Sequence, residues 1–207
     1  MPCDYSTERE LLSQNYNYIC GIDEVGRGAL FGPVVAGAVI LDPQKPINGI
    51  NDSKQVRPSK RQNLSQQIYA DSMAYSIGWC WNDEIDDINI LQATKKAIKM
   101  ALRGLQIKPD YVLIDGMKAD FVEIDGRGII KGDTISVSIA AASIIAKVFR
   151  DHLICSFAPF FPEYSLDSHK GYGTRKHIDA LNKNGFTQFH RKSFKIRKPM
   201  TRTPGEK

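Results

Sequence analysis

Residues 136–158, SVSIAAASIIAKVFRDHLICSFA, are small or apolar on nearly every side of a helix. A helix without a polar face must be covered all round, so the rest of the chain has to build layers around it. Suitable partners are present. VVAGAVIL at 34–41 is apolar on both faces and reads as a strand buried on both or nearly both. Tyr18–Ile22 and YVLID at 111–115 read as further buried strands, and MAYSIGWCW at 73–81 alternates like a strand. RGIIKGD at 127–133 reads as a strand or edge hairpin ending on Asp133. A helical pattern begins at Pro58. A long one runs from Asp83 to about Leu105, with acids near its start and cations near its end as the helix dipole favours. A last one spans Thr174–Asn184. Strands mixed with long helices predict an α/β or α+β sheet with helices packed on it.

The 207 residues suit one large domain, or one domain with a small appendage. The division expected is a core over 1–160 and a basic helical segment and tail over 161–207 that packs on it. No apolar run approaches the ~18 residues of a membrane helix. The start, MPCDYSTERE, has no apolar signal core, so secretion is not expected. Cys3, Cys20, Cys80 and Cys155 are scattered without a CxxC pair, which points to reduced thiols in a cytoplasmic protein and away from a Cys-based zinc site. Charge is uneven. From Lys170 onward there are 11 Lys and Arg against 2 Asp and Glu, while the remainder carries 17 against 21. A basic end on an acidic body suits a polyanionic partner, provided that the body's acids have another task.

That task is suggested by their placement. Three apolar runs finish on carboxylates: Asp23-Glu24, Asp115 and Asp133. Ligand sites of open α/β sheets lie beyond strand ends. Carboxylates gathered there repel one another and resist burial, and a bound divalent cation relieves both. Oxygen donors without His or Cys favour Mg²⁺ or Mn²⁺ over zinc. Adjacent strand residues point to opposite faces, so Asp23 and Glu24 can share a site only if the strand is distorted or has ended. Gly26 and Gly28 just beyond make such a departure reasonable. Taken singly, Asp115 before Gly116 also suits a turn; Asp151 suits a structural salt bridge and Asp52 a turn or cap.

Further stretches bring a family into view. GIDEVGRG, NDSKQV, LIDG, KGDTISVSIAAASIIAKVFRD, HKGYGTRKH and HRKSF occur in that order. Together they closely resemble bacterial ribonuclease HII, over about residues 8 to 198. The resemblance implies a ribonuclease H-like fold, a mixed α/β sheet flanked by helices with a small C-terminal helical part. It implies an endonuclease that cuts the RNA strand of RNA/DNA hybrids and cuts 5′ of single ribonucleotides embedded in duplex DNA, leaving 5′-phosphate and 3′-hydroxyl ends. Carried over by position, Asp23, Glu24, Asp115 and Asp133 form the catalytic, metal-binding quartet, with Asp23 bridging two ions; Asp133 is placed by counting ten residues back from Ser143. Ala29 departs from the family's usual Pro, and Phe31 from a commoner small residue. TRTPGEK at the end matches nothing in the family.

Two ions roughly 3.5–4 Å apart can activate water and meet the leaving oxygen, so no protein nucleophile is needed, and no GxSxG elbow is present. The glycines of Gly26-Arg27-Gly28 leave backbone amides open to a sugar-phosphate, and the 2′-hydroxyl is the group that marks ribose. Arg27 contacts a phosphate or holds the loop. The family pattern adds Tyr172, whose ring can stack on the sugar or base just 3′ of the ribonucleotide. Lys54 is expected to contact a phosphate, the alternative being a helix-cap or surface role. Arg191, Lys192 and Lys195 would track the backbone without reading sequence. His169, His177 and His190 are taken as phosphate-side or structural residues. A monomer with no membrane partner is expected. Two rivals stay open: a DNA-cutting nuclease on the same scaffold, and a non-catalytic nucleic-acid binder using the basic tail.

Overall fold

With both faces apolar, VVAGAVI has to lie inside a sheet that is covered on each side. The computed structural model, which describes residues 3–51, 53 and 56–195, buries every residue of this strand. After a short helix α1 (Ser6–Ser13) come β1 (Ile19–Val25) and the apolar strand β2 (Val34–Ile40). Then follow α2 (Pro58–Asp71), β3 (Ala74–Cys80) and α3 (Asn82–Arg103). The chain continues through β4 (Tyr111–Asp115), β5 (Gly126–Ile129), α4 (Val137–Phe157), α5 (Leu166–His169) and α6 (Arg175–Asn184). The sheet order is β3-β2-β1-β4-β5. The first three strands form an antiparallel meander, and β4 and β5 add to β1 in parallel. This is the mixed sheet with flanking helices that the sequence predicts.

The pleat divides the core. Cys20, Ile22, Ala36 and Ala38 pack with Ile85, Ala97 and Ile98 of α3. On the other face, Val39 packs with Leu64 and Ile68 of α2 and with Ala141 and Ile145 of α4. Helix α4 lies directly on β1: a Cβ on Gly21 would fall 2.0 Å from the Ser138 carbonyl carbon. That close seat brings Ser143, one turn further on, level with Asp23. Among the described residues no helix is long and apolar enough to cross a membrane.

Three expectations need correction. The acids do not end the first strand: β1 pairs regularly through Asp23↔Gly37, Glu24↔Ala36 and Val25↔Val35, because backbone pairing is indifferent to the charge on a side chain. The long helix is not continuous. Asn89 takes φ 67° and ψ 162°, and its Oδ1 accepts from the amides of Leu91 (3.0 Å) and Gln92 (3.2 Å), so that it caps a second helical segment. Finally, Asp133 does not finish a strand. β5 ends at Ile129 and is a parallel edge strand, not part of a hairpin. After a left-handed Lys131, Asp133 sits in a 3₁₀ turn, Gly132–Thr134, that leads into α4.

The C-terminal segment is held by its own apolar cluster. Leu30 and Phe31 meet Ile154, Tyr164, Leu166 and Leu181, and the Phe31 ring is edge-on to Phe157, Phe161 and His190. The loop after β1 is thus clamped between two later segments. The Leu30 amide donates to Gly171 (2.8 Å), the Gly32 amide to Phe189 (2.9 Å), and the Arg191 amide to Leu30 (2.8 Å).

Candidate active site

The parallel pairing of β1 with β4 sets their carboxyl-terminal ends side by side and brings Asp23 to Asp115. The turn carrying Asp133 is pinned to the same place, since Asp115 Oδ1 accepts the Gly132 amide at 2.6 Å. As a result Asp23, Asp115 and Asp133 each offer a carboxylate oxygen, and these atoms all lie within 4.8 Å of one another. Asp23 and Asp133 are buried and Asp115 is half-buried. Glu24 is not one of that three. On a regular strand its side chain leaves from the opposite face, and its Oε1 takes the Arg27 guanidinium at 3.1 Å. Its Oε2 is buried without a hydrogen-bond partner among the described residues. The longer arm still brings its carboxylate to the rim of the same cleft, which is lined by Asp23, Glu24, Val25, Ser53, Ser143, Lys147 and Tyr172.

The electrostatics follow from this crowding. Burial, then the Glu24 and Asp115 carboxylates, push Asp23 well above the usual carboxylate range, against the hydrogen bond from Ser143. Burial also raises Glu24, with Arg27 acting in the opposite direction. A bound cation would relieve this penalty on the charged form. Three converging oxygen donors, plus an orphaned carboxylate oxygen beside them, fit a hard divalent ion. None of the three is His or Cys.

Two side chains here are missing from the sequence reading as site residues. Ser143 bonds Asp23 and also the buried Ser53 hydroxyl at 2.9 Å. Lys147 lines the cleft one helical turn later, with its Nζ 2.8 Å from Asp151 and 5.7 Å from the Tyr172 ring centre. The signal available was a serine and a lysine four apart on one face of an otherwise apolar helix. Asp151 is the structural salt-bridge residue expected, reaching Arg61 at 3.7 Å as well.

Tyr172 reaches the cleft from the distant HKGYGT stretch through an isolated bridge to Ala29, and Arg150 lies 5.4 Å from its ring centre. Of the glycine loop, Gly26 has φ +89°, and an added Cβ would meet Arg150 Nε at 2.1 Å; around Gly28 there is open space. The openness expected of both glycines therefore belongs to Gly28, whereas Gly26 makes room for a buried arginine. Lys54 and Asp52 lie outside the described residues, as does the TRTPGEK tail. Lys192 and Lys195 are exposed, but Arg191 is fully buried and is no part of a solvated tail.

The histidines form an internal relay. The Thr187 amide donates to His190 Nδ1 (2.9 Å), so His190 carries its proton on Nε2 and gives it to His177 Nε2 (3.1 Å). His177 Nδ1 then donates to the Tyr172 carbonyl at 3.0 Å. Burial lowers His177 to about 4 and His190 to about 3, so both are neutral near pH 7. They are structural.

A family model described as Ribonuclease HII matches residues 20–197. The chain belongs to the ribonuclease HII family. A curated ribonuclease HII of Caldicellulosiruptor bescii is 47% identical over 190 residues, 92% of each chain. One of Desulfitobacterium hafniense is 48% identical over 187 residues, 90% of this chain and 72% of the relative. Among solved structures, the ribonuclease H2 of Pyrococcus horikoshii OT3 is 27% identical with a TM-score of 0.70, over 86% of this chain and 94% of the other. The fold is thus the ribonuclease H-like one, and the chain is a hydrolase, an endonuclease of the ribonuclease H type that acts on the RNA of hybrids.

Proposed function

We propose that this member of the ribonuclease HII family cuts the RNA strand of RNA/DNA hybrids and also cuts on the 5′ side of a single ribonucleotide embedded in duplex DNA, leaving 5′-phosphate and 3′-hydroxyl ends. The observation that carries the reading is that Asp23, whose carboxylate meets those of Asp115 and Asp133 within 4.8 Å, also lines a cleft with Glu24, Lys147 and Tyr172.

Asp23, Asp115 and Asp133, joined by Glu24, would hold Mn²⁺ or Mg²⁺, in the full reaction two ions. When bound, such ions activate water and relieve charge at the phosphorus and the leaving oxygen. The protein's own groups do the rest. Ser53 and Ser143 form a hydroxyl pair that keeps one Asp23 oxygen in place. Lys147 offers a positive charge at the cleft and, held by Asp151, spends little conformational freedom in doing so. Tyr172 stacks on the sugar or base 3′ of the ribonucleotide, and the amides of the Gly26–Gly28 loop reach the ribose. Arg27 keeps Glu24 turned toward the cleft. Lys54, Lys192 and Lys195 follow the phosphate backbone without reading bases. No side chain serves as a nucleophile: burial pushes the Cys20 and Cys80 thiols up to about 12, and the neutral His177 and His190 are engaged with each other.

In this reading the segment from residue 161 onward is the part of a monomeric, cytoplasmic enzyme that carries the duplex to the core. The deciding experiment uses a DNA duplex with one ribonucleotide, an RNA/DNA hybrid and an all-DNA duplex, each with Mn²⁺, Mg²⁺ or chelator. The expected outcome is ion-dependent cutting of the first two, with the single cut 5′ of the ribonucleotide. Cutting of the all-DNA duplex at a similar rate would point to a DNA nuclease on the same scaffold. Binding without cutting under every condition would point to a mere binder.

A further inference from the structure

The loop that inspects the ribose has no regular secondary structure to hold it. Its carbonyls instead surround two arginines, both fully buried. Arg150 donates from Nε to Pro33 (3.0 Å), from Nη1 to Lys170 (3.0 Å) and from Nη2 to Phe31 (3.0 Å). Arg191 donates from Nε to the Gly32 carbonyl (3.0 Å) and from Nη1 to the Arg27 carbonyl (2.9 Å). No described carboxylate forms a salt bridge with either. Buried arginines are ordinarily paired with acids. Two guanidiniums that give four of their five hydrogen bonds to carbonyls of this loop mark it as one whose peptide orientations matter.

One of these bonds has a direct chemical consequence. The peptide linking Arg27 to Gly28 is planar and trans, so its C=O and N–H point in opposite directions. With the carbonyl drawn inward by Arg191, the Gly28 N–H is turned outward. Gly28 is exposed, and among the described residues its amide makes no backbone hydrogen bond and nothing lies within 4 Å of where its Cβ would be. The guanidinium fork is suited to this duty, because it bonds Gly32 and Arg27 at once in a fixed plane; a lysine could hold only one of them in the same direction.

We propose that Arg191 is a positioning residue that never touches substrate: by locking the Arg27–Gly28 peptide it presents the Gly28 amide as a ready hydrogen-bond donor to the ribose-phosphate. The inference rests on the reading that this loop meets the ribose. Removing one pre-oriented donor typically costs about 10²–10³ in rate. Arg191→Lys is therefore expected to cut the single-ribonucleotide duplex with kcat lowered about 100-fold and KM within about threefold of wild type, since the carboxylates and surface lysines that gather the duplex are untouched.

A structural role alone would not predict a signature at one amide, so the second readout is the ¹⁵N-labelled Gly28 resonance. In the free wild-type enzyme it should exchange rapidly with solvent. With the single-ribonucleotide duplex under chelator it should shift and become protected, and with an all-DNA duplex it should do neither. In Arg191→Lys the protection should be absent. A folded Arg191→Lys enzyme with wild-type kcat overturns the proposal. So does a Gly28 amide already protected in the free wild type, a measurement that stands even where the variant does not fold. If the wild type itself fails to prefer the ribonucleotide duplex over all-DNA, the parent reading fails instead, and the two failures are told apart.

Discussion

The acidic cleft and the basic interior beside it are charged in opposite senses and settled in opposite ways. In the cleft, Asp23, Asp115 and Asp133 face one another with Glu24 half-satisfied by Arg27, and in the proposed function an external cation relieves the repulsion. Beneath the glycine loop, Arg150, Arg191, His177 and His190 are equally buried, but carbonyls and neighbouring ring nitrogens take up nearly all of their donors. One region is held open for chemistry, the other closed to hold a shape. Net charge therefore does not separate the two regions; what separates them is whether the nearest charged neighbours are of like sign, as in the cleft, or replaced by carbonyls, as beneath the loop.

The comparison can be broken most sharply at Asp23. Asp23→Asn should lower ion-dependent cleavage by at least about 10³-fold, because it removes an ion ligand. In chelator it should leave the melting temperature unchanged or higher, since a buried like charge is gone. Undiminished cutting would reject the assigned centre. Next in size, Tyr172→Ala should reduce kcat/KM on the single-ribonucleotide duplex about 100-fold through misplacement of the reacting sugar, and less on a long hybrid with many binding registers. Equal losses on both substrates would remove the ring from junction reading.

Heat and pH probe the two regions together. An ion at 100 times its dissociation constant adds ~2.7 kcal/mol, or roughly 5–10 °C in melting temperature for a chain of this size. Asp23→Asn should abolish that gain. The pH signatures are opposite. Asp23 and Glu24 are raised in the fold, so the folded state binds more protons than the unfolded one, and metal-free stability falls as pH rises above about 4. His177 and His190 are lowered to about 4 and about 3, so the unfolded state binds more protons below ~6.5, and stability falls as pH drops through that window. Melts of His190→Gln should show a shallower acid-side loss, while a divalent ion should remove only the alkaline-side loss. A wild-type slope retained in His190→Gln would take the relay out of this account. The smallest effect is expected at the surface. Lys192→Ala or Lys195→Ala should raise KM about twofold to threefold and reduce the salt slope of binding by about 1.

Much of this was legible in the residues. The fully buried β2, the all-round buried helix α4 and the acids on apolar runs that come to lie side by side follow from local pattern. Other features were not. The strand carrying Asp23 and Glu24 was expected to end at its acids, yet pairing with β2 carries it through both. Asp133 was expected on a strand end and sits in a 3₁₀ turn tied to Asp115. Arg191 looked like one more cation in a basic run, and is buried against Gly32 and Arg27.

The sequence by itself determined which chemistries were available, because residue type sets donor atoms and charge, and periodicity sets which faces must be covered. Only the tertiary structure decided which charges face like charges and which face carbonyls. That depends on where backbone carbonyls from remote segments come to rest, and a carbonyl is the same atom under every residue, so no pattern of side chains announces it.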